Sequence, residues 1–370
     1  MEIGLDQILK EPHASLLRGK RLGLVTNSSS FDSRYKSSVL CLHDHYDLRV
    51  LYAPEHGLDG SAQAGKMIPE SRDPHTQIPI RSLYQGEHTR LDPSLFADID
   101  LLVFDMQDVG LRFYTYTATL EQLMHGGVPL LVLDRPNPLG GIVVEGPILD
   151  AEHASFVGLA GLAVRYGLTI GELALFLNGE RAIGCDLQVV PLQGWRRTQR
   201  WEDLKRPWIM TSPAIAHCSA IELYAGFCLL EGTNLSEGRG TSAPFELFGA
   251  PFIDAYQLSL EVGKLNLAGV RFTPITFVPS TGKFQGQACH GLYAHVIDSG
   301  PFRPFSTALS VLSLLWDLYP EHLSFNASFT RLAGFSEQAI ARANLSAMLE
   351  RIEEEARTFE YIKRSYERYA

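Results

Sequence analysis

A carboxyl group and an imidazole stand side by side at the end of an apolar stretch, in the sequence LYAPEHGLDG (residues 51–60). Glu55 follows Pro54 and precedes His56 and Gly57, so the chain turns where a predicted buried strand ends. Carboxyl and imidazole side chains are the groups that enzymes use most often to transfer protons. Glu55 is therefore the first candidate for a catalytic residue, with His56 beside it.

Polar residues also follow three other predicted strands. Strands are predicted at 21–26, 48–53, 100–105 and 129–134, and such apolar runs are typical of a parallel sheet covered on both faces. In such a sheet, ligands bind beyond the carboxyl ends of the strands, where the strand order reverses. The predicted site residues are Asn27 after the first strand, Glu55 and His56 after the second, Asp105, Gln107, Asp108, Arg112, Tyr114 and Tyr116 after the third, and Asp134, Arg135 and Asn137 after the fourth.

Most of these residues also have a structural alternative. Asp105 and Asp108 could bond the backbone N–H groups of their own loops, as aspartates often do. Asp134 and Arg135 could form an ion pair or cap a helix. The two tyrosines could be core residues at the start of a helix. The sequence leaves these alternatives open.

A second concentration of polar groups lies in EGTNLSEGRGT, residues 231–241. Its glycines, Asn and Ser break any regular period, which indicates a long loop. Its candidate ligand-binding residues are Glu231, Asn234, Glu237 and Arg239. A guanidinium such as that of Arg239 binds a carboxylate or phosphate through paired hydrogen bonds. The alternative is a compact loop that its own side chains hold together.

The alternation of strands and helices predicts an α/β protein with a Rossmann-like, mostly parallel sheet domain and a smaller C-terminal α/β domain. The pattern changes after about residue 141, so the predicted domains are 1–150 and 151–370. In the first, a further strand is predicted at 80–84 and helices at 33–46 and 116–127. In the second, strands are predicted at 185–192, 270–278 and 291–297, and helices at 169–180, 306–318 and 335–367.

Several classes of site are not supported. The segment after the first strand, TNSSSFDS, lacks the GxGxxG of dinucleotide-binding folds, and no GxxxxGK[ST] occurs. The sequence contains no GxSxG and no HExxH, and its five cysteines form no CxxC pair. His43 and His45 are close together but lack a third ligand nearby. We therefore expect no cofactor, no metal and no nicotinamide-dependent activity.

Charge and hydropathy indicate which classes of binding partner the protein is expected to have. The net charge is −10 without a run of Lys and Arg, whereas nucleic-acid-binding surfaces are basic. No stretch reaches about 18 consecutive apolar residues, so no membrane span is expected. The N-terminus has no signal-peptide pattern. The sequence as given predicts a cytoplasmic protein, or a periplasmic or secreted one if a leader was removed, and leaves the oligomeric state open.

Several long motifs resemble those of the exo-β-N-acetylmuramidase family, long catalogued as a domain of unknown function. In order along the chain they are APEHGLDG, FDMQDVGLRFYTYTATL, VLDRPNPLGG, VEGPIL, SFVGL, GLTIGELA and LEGTNLSEGRGTSAPFELFGAP. The resemblance runs from about residue 20 to the C-terminus. It implies a Rossmann-like domain joined to a smaller α/β domain with the active site in the cleft between them. It also implies a glycoside hydrolase that removes N-acetylmuramic acid from the non-reducing end of peptidoglycan fragments.

The resemblance assigns the catalytic carboxylate to Glu55, the Glu of the P-E-H-G motif. Glycoside cleavage generally needs an acid that protonates the leaving oxygen and a second group that acts as base or nucleophile. The candidates for that second group are Asp105 and Asp108, with Glu231 and Glu237 behind them. Arg239 and Arg112 are the hypothesised cations for the lactyl carboxylate of the sugar, and His56 and Tyr116 are expected to contact the sugar or hold Glu55.

The sequence departs from the family pattern at 211–216, where TSPAIA replaces a pattern close to P-S-P-N-x-P, and at 224–226, where YAG replaces Tyr-Pro-Gly. These changes leave the aglycone preference open. They also leave an alternative function, a catalytically inactive protein that binds cell-wall fragments such as muropeptides or amino sugars.

Overall fold

The computed structural model describes residues 1–55, 57–59, 71–83 and 91–370, so the prediction for His56 lies outside the described residues. The strands are β1 (Arg21–Thr26), β2 (Asp47–Ala53), β3 (Ser71–Arg72), β4 (Pro79–Ser82), β5 (Leu101–Asp105), β6 (Leu130–Leu133), β7 (Leu187–Val190), β8 (Leu247–Ala250), β9 (Val270–Phe277) and β10 (Cys289–Val296). The α-helices are α1 (Gly4–Ile8), α2 (Ser38–His43), α3 (Tyr116–Met124), α4 (Ile170–Glu180), α5 (Cys218–Phe227), α6 (Ala255–Lys264), α7 (Pro304–Leu318), α8 (Ala327–Ala333) and α9 (Leu345–Lys363).

The first seven strands form one sheet in the order β3–β4–β2–β1–β5–β6–β7. β3 is antiparallel to β4, and the other neighbouring pairs are parallel. The chain runs outwards from β1 through β2 to β4 and then returns to β5 on the other side of β1. The strand order therefore reverses between β1 and β5, which end at Thr26 and Asp105. This sheet confirms the predicted α/β fold class, and the reversal marks the edge where a ligand site is expected.

Buried strands agree with their predicted bounds better than the helices do. β1 spans the predicted residues, and every residue of β5 is buried. The helix predicted at 33–46 is shorter, because Asp32 accepts hydrogen bonds of 2.8 and 2.7 Å from two backbone N–H groups of a turn and Ser37 then caps α2. The helix predicted at 335–367 is also shorter, because a separate 3₁₀ turn precedes α9.

A smaller antiparallel sheet, in the order β8–β10–β9, belongs to the C-terminal part of the chain. Phe227 of α5 stacks on Phe248 of β8 with ring centroids 5.1 Å apart. One continuous cluster of buried apolar residues includes Val25 of β1 as well as Phe248, so the two sheets share a core. Among the described residues, no helix is long and apolar enough to cross a membrane.

The first sheet extends beyond residue 150, the domain boundary predicted from the sequence. After the crossover helix α4, β7 pairs in parallel with β6 at the edge of the sheet. The C-terminus also returns to this sheet, where the Tyr369 ring packs against Trp195 at 5.4 Å and its hydroxyl donates to Asp134. The predicted boundary cuts through this unit because the pattern change near 141 is a loop within it.

Candidate active site

Asn27 comes directly after β1 and organises the centre of the predicted ligand site, which lies at the carboxyl ends of the parallel strands; we call this end of the sheet the carboxyl edge. Its side-chain oxygen accepts hydrogen bonds from the Ser29 N–H (3.0 Å) and the Ser29 hydroxyl (2.6 Å), a turn that Asn favours. Its amide nitrogen donates to the Tyr116 hydroxyl at 2.6 Å, and that hydroxyl donates to the Thr211 carbonyl oxygen at 2.7 Å. These buried hydrogen bonds connect the end of β1 to the start of α3 and to the 211–216 segment.

Glu55 lies in the turn after β2 and is 9% exposed. The turn closes through a hydrogen bond of 3.1 Å from the Gly57 N–H to the Pro54 carbonyl oxygen, and Gly57 has φ +82°, a conformation that glycine adopts without strain. The pKa of Tyr116 is raised well above its ordinary value, mainly by burial and by Tyr114, and the negative charge of Glu55 adds to this effect. Glu55 therefore lies near enough for its charge to act on the phenol of Tyr116, at the end of the sheet where the sequence places it.

Asp105 and Arg135 form a buried ion pair across the ends of β5 and β6. The Arg135 Nε and Nη2 atoms donate to the two carboxylate oxygens of Asp105 at 2.6 and 2.9 Å. The Asp105 side chain is 0% exposed and the Arg135 side chain 5% exposed. Since both oxygens of Asp105 are bonded to the guanidinium, this geometry favours an anchoring role for Asp105 over a role in proton transfer.

Asp108 has a different environment from Asp105. Its Oδ2 accepts hydrogen bonds from the Gly110 N–H at 2.7 Å and from the Tyr166 hydroxyl. Its Oδ1 is buried and has no hydrogen-bond partner of good geometry among the described residues. Burial raises the pKa of Asp108 to about 6, although the bonds from Tyr166 and Gly110 act in the opposite direction. Asp108 is thus a carboxyl group that changes its protonation near neutral pH.

Gly110 is required by the close packing of this loop. It has φ +78°, and a Cβ atom there would lie 2.3 Å from the side-chain oxygen of Asn137. Asn137 itself accepts from the Leu139 N–H at 2.9 Å and donates to the Leu168 carbonyl oxygen at 2.8 Å. Asn137 is therefore engaged in holding the loops together.

We expect an Asp108→Asn variant to change how stability depends on pH. The native pKa of about 6 is above the ordinary value, so the native state holds this proton more tightly than the unfolded state. The resulting stabilisation is complete below the ordinary aspartate pKa and is lost as pH rises through the native value. From about pH 4.5 to about pH 8 the wild type should lose about 2 kcal/mol more unfolding free energy than the variant. Urea denaturation at both pH values measures this, and equal losses would contradict a raised pKa.

Two tyrosines and a glutamine complete the buried polar edge. The rings of Tyr114 and Tyr116 meet edge to face with centroids 4.7 Å apart. Burial is the main reason why the pKa of Tyr114 is raised to about 12, and Thr211 lies next to its hydroxyl. Gln107 donates to the Asp108 and Pro136 carbonyl oxygens at 2.7 and 2.8 Å, so its amide fixes the loops after β5 and β6.

Tyr116→Phe should destabilise the protein by about 1–3 kcal/mol, because it leaves the buried amide of Asn27 and the Thr211 carbonyl without their partner. Tyr256→Phe is the matched control, since Tyr256 is 76% exposed, and it should change stability by less than about 0.5 kcal/mol. Urea denaturation of both variants measures the difference. Equal stabilities would show that the Tyr116 hydroxyl does not hold this edge.

Three predicted site residues make structural contacts instead. Arg112 is 0% exposed and donates to the carbonyl oxygens of three residues at 2.7, 2.8 and 2.8 Å, namely Pro147, Leu162 and Leu332. Burial lowers the pKa of Arg112 to about 9. Asp134 accepts from the Gly171 N–H at 2.8 Å and from Thr169 Oγ1 at 2.8 Å, so it caps α4. Asn234 joins its loop to residues 322 and 324 through hydrogen bonds of 2.7 and 3.0 Å.

The rest of the 231–241 loop carries a charge network. The Arg239 guanidinium donates to Glu231 Oε1 at 3.0 and 2.5 Å, lies 3.6 Å from Glu237 and covers the Phe245 ring at 5.1 Å. Lys283 lies 3.1 Å from Glu237 on the other side. Two cations and two carboxylates thus compensate each other, and the Arg239 side chain remains 39% exposed.

An aromatic chain connects this network to the first sheet. The Phe245 ring lies 4.6 Å from Tyr224, and Tyr224 lies 6.2 Å from Phe113, the neighbour of Tyr114. The loop therefore approaches the edge through packed rings, and its polar groups face their own counter-ions.

The sequence did not identify Tyr166, Thr211, Ser29 or Arg206 as part of this edge. Thr211 contributes a backbone carbonyl, and Tyr166 lies in a loop whose sequence has no distinctive pattern, so residue type offered no signal for either. In the part of the chain that the structure describes, no group of three or more His, Cys, Asp or Glu side chains is arranged to hold a metal ion.

The fold and the site define a class: an α/β protein with buried carboxyl groups directly after neighbouring parallel strands, where the strand order reverses. The family models for the N- and C-terminal parts of the exo-beta-N-acetylmuramidase NamZ match residues 22–219 and 222–369. The chain belongs to this family. The N-terminal family model ends and the C-terminal one begins near the start of α5, well beyond residue 150, the domain boundary predicted from the sequence.

Individual relatives agree with this assignment. The chain is 43% identical to the peptidoglycan beta-N-acetylmuramidase NamZ of Bacillus subtilis (strain 168) over 342 aligned residues. The alignment covers 90% of this chain and 82% of the relative. It is also similar to the crystal structures of two DUF1343 family proteins from Bacteroides fragilis NCTC 9343. The first has a TM-score of 0.89 and 31% identity, covering 100% of this chain and 99% of the other. The second has a TM-score of 0.79 and 28% identity, covering 100% and 98%.

Proposed function

We propose that this protein is a glycoside hydrolase that releases N-acetylmuramic acid from the non-reducing end of peptidoglycan fragments. Membership of the exo-beta-N-acetylmuramidase family and the 43% identity to the Bacillus subtilis enzyme support the substrate class. The observation that carries the proposal is the position of Glu55. It is a nearly buried carboxyl group in the turn after β2, at the carboxyl end of the sheet, and its charge acts on Tyr116.

In this mechanism Glu55 donates a proton to the glycosidic oxygen as the bond from that oxygen to the anomeric carbon breaks. The leaving sugar then departs as a neutral alcohol. The second group either takes a proton from the water that attacks the anomeric carbon, or attacks that carbon itself and is then displaced by water, so that free N-acetylmuramic acid is formed. Tyr116 and Asn27 fix the wall next to Glu55, because their hydrogen bonds are buried and directed. A rigid wall of this kind keeps the acid in position without reorganisation during the reaction.

For the second group, the contacts favour Asp108 over Asp105. Asp105 has both oxygens bonded to Arg135, whereas Asp108 keeps one oxygen free of well-formed hydrogen bonds and has a pKa of about 6. A base works best when its pKa is near the operating pH. Glu231 and Glu237 are less suited, since Arg239 and Lys283 already pair with them.

The alternative function, binding of cell-wall fragments without catalysis, makes a different prediction. A chromogenic N-acetylmuramic acid glycoside incubated with the protein should yield free chromophore and N-acetylmuramic acid. If calorimetry instead detects saturable binding of N-acetylmuramic acid while no product forms, the protein is a binding protein and the proposed activity is contradicted. A fluorescently labelled glycan distinguishes the site of cleavage, because exo-action removes one N-acetylmuramic acid unit from the non-reducing end and leaves the rest of the glycan intact.

A further inference from the structure

Arg206 lies at the same edge of the first sheet, in a segment that the proposed mechanism does not use. It lines a small pocket together with Arg135, Ser29, Gln107 and the half-exposed Tyr35. The pocket has a volume of about 20 Å³, which is enough for one or two small polar atoms and too small for a sugar ring. A single polar group of a larger ligand would fit there while the rest of the ligand stays outside.

Arg206 has no carboxylate within ion-pair distance among the residues that the structure describes. Its two hydrogen bonds, to the Ser33 hydroxyl and the Asp32 carbonyl oxygen, are both 3.3 Å long and go to uncharged atoms. The neighbouring Arg135, in contrast, is neutralised by Asp105. A guanidinium without a counter-ion presents the donors that bind a carboxylate most strongly.

The surroundings make an anion favourable in this pocket. Burial and the positive charge of Arg135 lower the pKa of Arg206, although Asp6 and Asp32 act in the opposite direction. The carboxylates of Asp6 and Asp32 are already occupied, because they accept hydrogen bonds from Ser33 and from backbone N–H groups of the 32–36 turn. An anion in the pocket would add the missing counter-ion.

The pocket is connected to the catalytic edge by two hydrogen-bonded steps. Ser29, which lines the pocket, donates to Asn27 at 2.6 Å, and Asn27 donates to Tyr116 at 2.6 Å. Tyr116 is the residue whose pKa responds to the charge of Glu55. The pocket and Glu55 therefore lie at the same end of the sheet, on two sides of the hydrogen-bonded group of Ser29, Asn27 and Tyr116.

From these contacts we infer that Arg206 binds the lactyl carboxylate of the N-acetylmuramic acid unit and so selects this sugar over N-acetylglucosamine, which lacks that group. The inference rests on the proposed function. Arg206 takes the role predicted from the sequence for Arg112 and Arg239, namely binding of the lactyl carboxylate. Arg112 is surrounded by carbonyl oxygens, and Arg239 is paired with Glu231.

The test compares two substrates that differ only in this carboxylate: a chromogenic N-acetylmuramic acid glycoside and its lactamide, in which the acid is a neutral amide. Arg206→Gln should lower kcat/KM for the acid by about 10- to 100-fold, mainly through KM. It should change kcat/KM for the lactamide by less than about twofold, because that substrate never used the charge. Arg206→Lys should restore part of the activity on the acid.

Arg196→Gln is the matched control, because Arg196 is exposed and belongs to the same polar segment of the chain. It should leave both substrates unaffected. Equal losses on the acid and the lactamide in Arg206→Gln, or no loss on either, would overturn the assignment of Arg206.

A second measurement separates this inference from the proposed function. If the wild type hydrolyses neither substrate, the proposed function fails, and calorimetry with N-acetylmuramic acid and its lactamide still tests Arg206. The assignment then predicts that the wild type binds the acid more tightly than the lactamide, and that Arg206→Gln removes this difference. If the wild type binds both equally, the assignment fails on its own.

Discussion

Glu55→Gln is expected to lower kcat for the N-acetylmuramic acid glycoside by about 10²- to 10⁴-fold, the usual contribution of a positioned general acid. The amide has nearly the same shape as the carboxyl group but has no acidic proton to give to the glycosidic oxygen. KM should change little, since substrate contacts away from the reacting bond are retained. Steady-state kinetics with the chromogenic substrate measures both constants.

The control for this variant is Glu354→Gln, which changes an exposed carboxylate on α9. It should keep full activity, and both variants should unfold at wild-type urea concentrations. Full activity of Glu55→Gln would remove Glu55 from the catalytic role and return the search to Asp108 and the 231–241 loop. A loss of activity that follows a loss of folding would instead assign Glu55 to stability.

Arg135→Met is expected to destabilise the protein by about 3–5 kcal/mol, because it leaves the carboxylate of Asp105 buried without its counter-ion. The pair has two short hydrogen bonds of 2.6 and 2.9 Å and almost no exposure. Breaking such a pair costs far more than breaking an exposed one, which typically contributes less than about 1 kcal/mol. Urea denaturation of the variant measures the change.

The double variant Asp105→Asn with Arg135→Met tests the cause of this loss. Because it no longer contains an unpaired buried charge, it should recover a substantial part of the stability that Arg135→Met loses. The exposed pair of Arg357 and Glu353 on α9 provides the comparison, and Arg357→Met should cost less than about 1 kcal/mol. If the double variant is as unstable as Arg135→Met, the loss comes from packing of the Arg135 side chain and not from charge.

The sheet was predictable because its strands are short apolar runs bounded by polar residues. β1 and β5 are buried on both faces, so the sequence there leaves few alternatives to a parallel strand. The capping box of α4 was also visible, and the structure contains both of its hydrogen bonds, between Thr169 and Glu172. The helix at 33–46 was overestimated because the turn that Asp32 holds has no apolar pattern that distinguishes it from a helix.

The list of edge residues was predictable from strand ends, but their partners were not. Asp134 and Arg135 are predicted site residues for which an ion pair or a helix cap is the structural alternative; Arg135 pairs with Asp105 and Asp134 caps α4. Arg112 bonds carbonyl oxygens of residues 147, 162 and 332, which come together only in the folded chain. Local sequence pattern cannot reveal such long-range partners. For the same reason the sequence does not predict Arg206 and Tyr166 as site residues.

The most direct test of the central claim, that Glu55 is the acid of a muramidase, is a crystal structure of the Glu55→Gln variant with an intact N-acetylmuramic acid glycoside. We expect the glycosidic oxygen within hydrogen-bond distance of the residue-55 side chain, at the carboxyl edge where β1 and β5 reverse the strand order. The sugar ring should lie against Tyr116 and Asn27. A glycosidic oxygen that faces a different carboxyl group, or a sugar bound away from this edge, would contradict the claim.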